Sequence, residues 1–265
     1  MTDSLVRVDN ENGVCWIVLH SPSTLNALSL PLLEQLEEAV RRVADDPSVR
    51  CVIVTGEGRA FSAGGDLAGF KSDIDAGRYN RFLVRLEYAQ NVFNLVESLP
   101  VPVIAAVNGV AVAGGLELLL CCDIIYAADT AKIGDGHANY GVIPAGGAST
   151  RLPVRVGIGP ASEMLFSGEL FSAEALMQWG LVNRVVAEGD LRDTVRRLAA
   201  TISRRSPRGL AVMKQLLRHN QGLPTGQGLR AEISAFSAYA KSADFREGLA
   251  AFAEKRAPVF GAEGP

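Results

Sequence analysis

Residues 100 to 126 read PVPVIAAVNGVAVAGGLELLLCCDIIY, an almost wholly apolar stretch that holds a Gly-Gly pair and, three residues after Gly114, one carboxylate, Glu117. Val101 to Val107 is a β-branched run opening on Pro, which predicts a strand buried on both faces. Asn108-Gly109 turns the chain, and GGLELLLCCD from Gly114 predicts a short helix. Leu116, Leu118, Leu119, Leu120 and Cys121 surround Glu117, so the helix has no polar face and is expected to be buried. An ionised carboxylate in such a place is costly unless paired, hydrogen-bonded or used. The amides around Gly114 point out of the helix N-terminus with no side chain in the way. The segment thus reads as an oxyanion donor beside a proton-transfer group. A Glu that merely meets a buried Arg or Lys fits the segment equally well. A membrane span does not, because Pro102, Asn108, the glycines, Glu117 and Asp123 interrupt every window of about 20 residues.

A second segment favours the chemical reading. CVIVT (51 to 55) predicts another buried strand, and it runs into GEGRAFSAGGDL, where Gly64-Gly65 precedes Asp66. Two Gly-rich turns, each following a buried strand of an α/β sheet, bring two backbone N–H groups together at the strands' carboxyl ends. Two such donors bind an oxygen anion. Alone, Ala63-Gly64-Gly65-Asp66 reads as a tight turn with Asp66 capping the next helix.

The wider chain is that of one large core with an appended element. Its 265 residues are 48% hydrophobic with net charge −3, which excludes nucleic acid as an expected partner. MTDSLVRVDNENG carries no basic-then-apolar leader, so a cytoplasmic location is expected. Cys15, Cys51, Cys121 and Cys122 fall in apolar patterns, as reduced core thiols do, and the three histidines His20, His137 and His219 are scattered. Neither set has metal-ligand spacing, and no metal is expected. Short β-branched runs alternate with helical patterns: a strand at Val14 to Leu19, a helical stripe of Leu33, Leu36, Val40 and Val43 after Pro31, and a helix from Tyr79 to Leu99. Lys71 to Arg78 is polar and expected to be mobile. After Ser206-Pro207 come helices at Leu210 to His219, Leu229 to Ala240 and Asp244 to Lys255. The basic residues there, Arg204, Arg205, Arg208, Lys214, Lys255 and Arg256, read mainly as a solvated face.

These segments resemble the crotonase superfamily, the enoyl-CoA hydratase/isomerase family. The likeness runs through SPSTLNALS (21 to 29), RAFSAGGDL (59 to 67), PVIAAVNGVAVAGGLELLLCCDI (102 to 124), AKIG (131 to 134), GVIPAGGASTRLP (141 to 153) and EGLAAFAEKRAPVF (247 to 260). It implies an α/β fold, a crotonase (ClpP-like) spiral of ββα units, with a core over 1–203 carrying an acyl-CoA site and a C-terminal helical trimerisation region over 204–265. It places oxyanion-hole amides on Gly65 and Gly114 and an acid/base carboxylate on Glu117, with Ala63, Asp66 and Lys255 as substrate-binding residues. Lys255, in AFAEKR, corresponds to a residue that reaches CoA phosphate, often across a subunit boundary. No cofactor is implied beyond the coenzyme A of the substrate, and the expected assembly is a homotrimer or homohexamer.

The chain departs from the family's hydratases at one place. Their second catalytic Glu stands four residues before the Gly of the GxxPxxGG segment, and here that position is His137, in GDGHANYGVIPAGG. An imidazole serves as acid or base near neutral pH. Asp135, two residues upstream, is another carboxylate available to that role. The expected activity is that of an enoyl-CoA hydratase-like lyase. Isomerisation, thioester hydrolysis and decarboxylation share the same anion stabilisation, and a noncatalytic acyl-CoA-binding protein is the alternative of another class.

Overall fold

The computed structural model describes residues 4–261; residues 1–3 and 262–265, the ends of the two regions expected from the sequence, lie outside the described residues. An antiparallel pair, β1 (Val6–Glu11) and β2 (Val14–Leu19), leads into α1 (Leu30–Asp45), whose apolar stripe Leu33, Leu36, Val40 and Val43 is buried and whose Pro31 sits in the first turn, where its missing N–H costs nothing. Three strand–strand–helix units follow. The first is β3 (Cys51–Gly56), β4 (Ala60–Ser62), α2 (Leu67–Asp75) and α3 (Tyr79–Ser98). The second is β5 (Val103–Val107), β6 (Val110–Val112) and α4 (Gly114–Leu120). The third is β7 (Ile124–Ala128), β8 (Lys132–Gly134), a 3₁₀ turn (His137–Tyr140), α5 (Ala148–Val156) and α6 (Ile158–Ser167). The chain then runs through β9 (Leu170–Ser172), α7 (Ala173–Gln178), β10 (Arg184–Val186) and α8 (Leu191–Ile202) to three C-terminal helices, α9 (Pro207–His219), α10 (Thr225–Tyr239) and α11 (Ala243–Glu254).

The first strand of each unit enters a six-stranded sheet of order β1-β2-β3-β5-β7-β10, and the second enters a four-stranded sheet of order β4-β6-β8-β9. The chain therefore climbs as a spiral, the α/β architecture expected from the sequence. Strands β2, β3, β5 and β7 are parallel and almost wholly buried, which is why they read as continuous apolar runs rather than alternating ones. In the smaller sheet β4, β6 and β8 are neighbours and parallel, so the residues that leave their carboxyl ends emerge along one edge. That edge carries Ala63 to Gly65, Ala113-Gly114 and Asp135 to His137.

The segment expected to be mobile is helical as far as Asp75. Asp66 caps α2 by accepting a hydrogen bond from the Gly69 amide (3.0 Å), and Asp73, buried on the far turn, accepts from Arg78 Nε and Arg85 Nη1 at 2.9 Å each. These charge-assisted bonds give the helix an anchor that its polar composition concealed. All four cysteines are buried and free. No described helix is long and apolar enough to cross a membrane.

One polar knot ties α9 to the core. Asp123, in the turn between α4 and β7, accepts from the Val103 amide (2.8 Å) and pairs with Lys214 (2.7 Å) and Arg218 (2.9 Å), while Lys214 Nζ also donates to the Val101 carbonyl at 2.9 Å. Lys214 is 8% exposed, and burial outweighs its anionic partner to push its pKa below the ordinary lysine range. Removing the partner of a buried cation costs about 3 kcal/mol or more. Asp123→Ala is therefore expected to lower the urea midpoint by that equivalent, whereas Lys71→Ala, which breaks an exposed pair with Asp75, should leave it within about 0.5 kcal/mol. Circular dichroism across a urea series reads both.

Candidate active site

The turns after β4 and β6 touch backbone to backbone. Gly64 has φ +89, and a Cβ there would stand 2.7 Å from the Val112 carbonyl oxygen and 3.1 Å from the Gly114 nitrogen, so the position admits only glycine. The Gly65 nitrogen lies 3.4 Å from the point where a side chain on Gly114 would begin. Neither the Gly65 nor the Gly114 amide donates to a protein acceptor among the described residues, and both residues line the same cavity. Two unclaimed donors side by side meet the geometric requirement for binding one anionic oxygen. Ala113, between β6 and α4, holds φ 52 and ψ −117, a conformation strained for a residue with a Cβ. It is this reversal that turns the Gly114 amide out of the strand direction.

Two asparagines hold the β3–β4 turn, which leads into β4 and the turn after it, in place. Asn26, wholly buried, donates to the carbonyls of Ala60 (2.8 Å) and Glu57 (3.0 Å) and accepts from the Ser21 amide at 2.8 Å. Asn108 accepts from the Gly56 amide (3.1 Å) and donates to the Gly58 carbonyl at 2.8 Å. The polar letters within SPSTLNALS and AAVNGV are thus structural: they satisfy the backbone of the β3–β4 turn that delivers Gly65.

Every residue of α4 is buried, Glu117 included. Its Oε1 accepts from the Gly146 amide at 2.7 Å and the Ala148 amide at 3.2 Å, the latter being the first residue of α5. Gln90 on α3 donates to the Ala145 carbonyl at 3.2 Å, on the far side of the peptide whose N–H serves Glu117, so the two hydrogen bonds polarise one another. A Cβ at Gly146 would reach 2.5 Å from Glu117 Oε2, which reserves that space for the carboxylate. Oε2 accepts no hydrogen bond from the described residues, and Glu117 lines the cavity. Burial raises the Glu117 pKa above the ordinary carboxylate value, against the lowering effect of the Ala148 amide, the nearby His137 and the Gly146 amide. No Lys or Arg pairs with Glu117 among the described ion pairs, so the reading of it as half of a buried charge pair does not hold.

His137 lines the same cavity. Its Nδ1 lies 2.9 Å from Asp135 Oδ1, and its backbone amide donates to Asp135 Oδ2 at 3.3 Å. Burial opposes the imidazolium, yet the hydrogen bond and charge of Asp135 together with the charge of Glu117 outweigh it and raise the His137 pKa. Asp135 is wholly buried behind the ring and does not line the cavity.

The cavity has a volume of about 870 Å³. Glu117, His137, Gly65 and Gly114 stand together in its wall with Ala63. Asp66 does not line it: its carboxylate serves α2 as a cap and lies 3.5 Å from Arg85. Lys255 is exposed at the left-handed end of α11, outside the wall of this cavity. The sequence does not single out the amides of Gly146 and Ala148, although the segment GVIPAGGASTRLP that carries them is part of the family likeness. Phe82, Leu86, Ala89 and Phe93 of α3 line the cavity beside Phe70 and Ile74 of α2, with the Phe70 and Phe82 rings edge to face at 5.3 Å, and their helical spacing is the available signal.

The whole-chain comparisons agree with this geometry. A family model described as enoyl-CoA hydratase/isomerase matches residues 9–263. The chain belongs to the enoyl-CoA hydratase/isomerase family. It is 36% identical over 258 residues to a crotonyl-CoA hydratase of Syntrophomonas wolfei, spanning 96% of this chain and 97% of that protein. It is 35% identical over 253 residues to a 2,3-dehydroadipyl-CoA hydratase of Escherichia coli, at 96% and 97% coverage. The crystal structure of an enoyl-CoA hydratase from Bacillus anthracis superimposes with a TM-score of 0.92 at 33% identity, covering 98% of this chain and all of that one. The fold is the crotonase fold, and the chain is an acyl-CoA-processing enzyme of the enoyl-CoA hydratase/isomerase family.

The charges around the imidazole make a measurable prediction. His137 is expected to titrate above the ordinary histidine value of 6.5, so it is protonated below its folded pKa and loses its charge as pH rises through it. Glu117→Gln removes one of the two carboxylates that raise it and should bring the titration down. Histidine ring NMR across a pH series, on the parent and on Glu117→Gln, reads both shifts.

Proposed function

We propose that the enzyme is a hydratase-like lyase that adds water across the double bond of a 2-enoyl-CoA. The observation that carries this reading is the presence of two separately held proton-handling groups, Glu117 and His137, on one cavity with the paired amides. Hydration moves two protons: one leaves water and one arrives at the α-carbon. The thioester oxygen accepts from the Gly65 and Gly114 amides. Glu117 Oε2 takes a proton from water, the water oxygen bonds to the β-carbon, and the double-bond electrons move onto the thioester oxygen as an enolate. His137 then gives its proton to the α-carbon as the carbonyl re-forms. The raised pKa of each group suits its task, a carboxylate basic enough to accept a proton and an imidazolium populated near neutral pH.

A screen of CoA thioesters by mass spectrometry tests the reaction type. With 2-enoyl, 3-enoyl, 3-oxo and malonyl thioesters, gain of water marks hydration, unchanged mass with a moved double bond marks isomerisation, free CoA marks hydrolysis and loss of carbon dioxide marks decarboxylation. Absence of turnover on every thioester would favour a binding protein.

The C-terminal helices support an assembly of three copies, or six. Leu229, Ile233 and Phe236 make an apolar stripe along α10 that is at least half exposed in the single chain, and Phe252 of α11 is 85% exposed. Such an area is characteristic of an interface, and we assign Lys255, exposed at the end of α11, to the CoA phosphate of a neighbouring copy. Light scattering should return three or six times the chain mass of 28.1 kDa. A stable monomer with undiminished CoA affinity would remove both the assembly and the role of Lys255.

Glu117→Gln keeps the shape of the side chain and the bonds from Gly146 and Ala148 through its amide oxygen, but it cannot take a proton. Turnover is expected to fall by roughly 10²- to 10⁴-fold while CoA affinity stays close to the parent value. Calorimetry of CoA binding beside single-substrate kinetics separates the two effects.

A further inference from the structure

Asp135 has a pattern of contacts that a purely local turn does not require. It is a carboxylate of which no surface reaches solvent, and both oxygens go to one residue: Oδ2 to the amide of His137 and Oδ1 to its ring. Its one cationic partner among the described ion pairs is that imidazole. An ionised carboxylate is an acceptor only, so the proton between them sits on Nδ1, and Nε2 is left as the ring nitrogen that exchanges a proton with the cavity. The charged groups that face His137 are Asp135 from its own loop and Glu117 from α4.

We propose that Asp135 and His137 form one unit that stands in for a single carboxylic acid opposite Glu117, with Asp135 as the positioning residue that orients the imidazole and balances its charge. The inference rests on the reading of His137 as the second proton-handling group. The charge count carries it. Two carboxyls that share one proton hold one negative charge, because both cannot ionise at close range. Ionised Glu117, ionised Asp135 and the imidazolium together also hold one negative charge. When water's proton moves to Glu117 and the Nε2 proton moves to the α-carbon, Glu117 and the imidazole are both neutral and Asp135 alone is charged. The total is again one, and transfer of the proton from Glu117 back to Nε2 restores the starting state.

This arrangement makes a specific claim about exchanging the imidazole for a carboxylate. His137→Glu alone does not rebuild a two-carboxyl site; it creates three, at positions 117, 135 and 137, with Asp135 buried and deprived of its ring donor. Asp135→Asn removes the surplus charge. The two substitutions are therefore coupled, and the pair should work where the single exchange does not.

The test is a cycle of four proteins assayed on the best substrate of the thioester screen: parent, Asp135→Asn, His137→Glu and the double variant. Asp135→Asn should lower kcat by at least about 10-fold with little change in KM, and His137→Glu by at least about 10²-fold. The double variant should recover at least about 10-fold over His137→Glu. Equal turnover for His137→Glu and the double variant would overturn the proposal. A second readout needs neither turnover nor a folded variant: ring ¹⁵N NMR of the parent should show Nδ1 protonated and Nε2 bare once His137 loses its charge. The opposite tautomer would overturn it as well. If no thioester gains water, the hydratase reading fails by itself, and the tautomer still decides whether Asp135 holds the ring.

Discussion

Everything at this site depends on two stretches of backbone meeting with no side chain between them. The turn after β4 and the turn after β6 approach so closely that the Gly64 α-carbon faces the Val112 carbonyl and the Gly114 nitrogen. Only that approach sets the Gly65 and Gly114 amides beside each other. The cost is a pair of turns with little side-chain packing of their own, and the structure meets it from outside. The two small-sheet strands pair directly, and Asn26 and Asn108 bind the intervening peptides. Ala113 holds the strained conformation that aims the second amide. The donors are fixed before any ligand arrives, which is the condition under which backbone dipoles stabilise a developing charge most effectively.

Glu117 meets two demands that ordinarily oppose each other. A proton acceptor in a catalytic cavity has to be basic, which burial achieves, yet a carboxylate buried without partners neutralises instead of working. The protein divides the two oxygens. Oε1 is tied to the Gly146 and Ala148 amides, and Gln90 reinforces the first of these through the intervening peptide. Oε2 stays open to the cavity. One oxygen keeps the group charged and oriented while the other remains free to react.

Glu117 was legible in the sequence because a lone carboxylate among leucines breaks a pattern that burial otherwise makes uniform. The strands of the large sheet were legible for the same reason, since parallel strands buried on both faces leave continuous β-branched runs. Both glycine turns could be read from their place after such strands. Asp66 and Asp135 show where that kind of reading stops. Each is an acidic residue beside a glycine in a loop, and no local signal separates an acid that meets substrate from one that caps a helix or holds a histidine. The part of helix α2 from Lys71 escaped the sequence for a related reason: its anchor is Asp73 buried against Arg78 and Arg85, two residues supplied by the next stretch of chain. The partners of Glu117 come from a segment about 30 residues downstream, and only the folded spiral brings them within reach.

The cavity is built from two kinds of wall. On one side stand α4 and the small-sheet edge, where a one-atom change in side chain collides with main chain. On the other stand α2 and α3, where Phe70, Ile74, Phe82 and Leu86 form a surface and the buried Asp73 of α2 ties the two helices together through Arg85 of α3. Main-chain contacts thus fix the wall that holds the paired amides and Glu117, whereas side chains make the wall formed by α2 and α3. Substitution among the aromatic and aliphatic residues of α2 and α3 would reshape the cavity without touching the backbone that sets the two amides side by side.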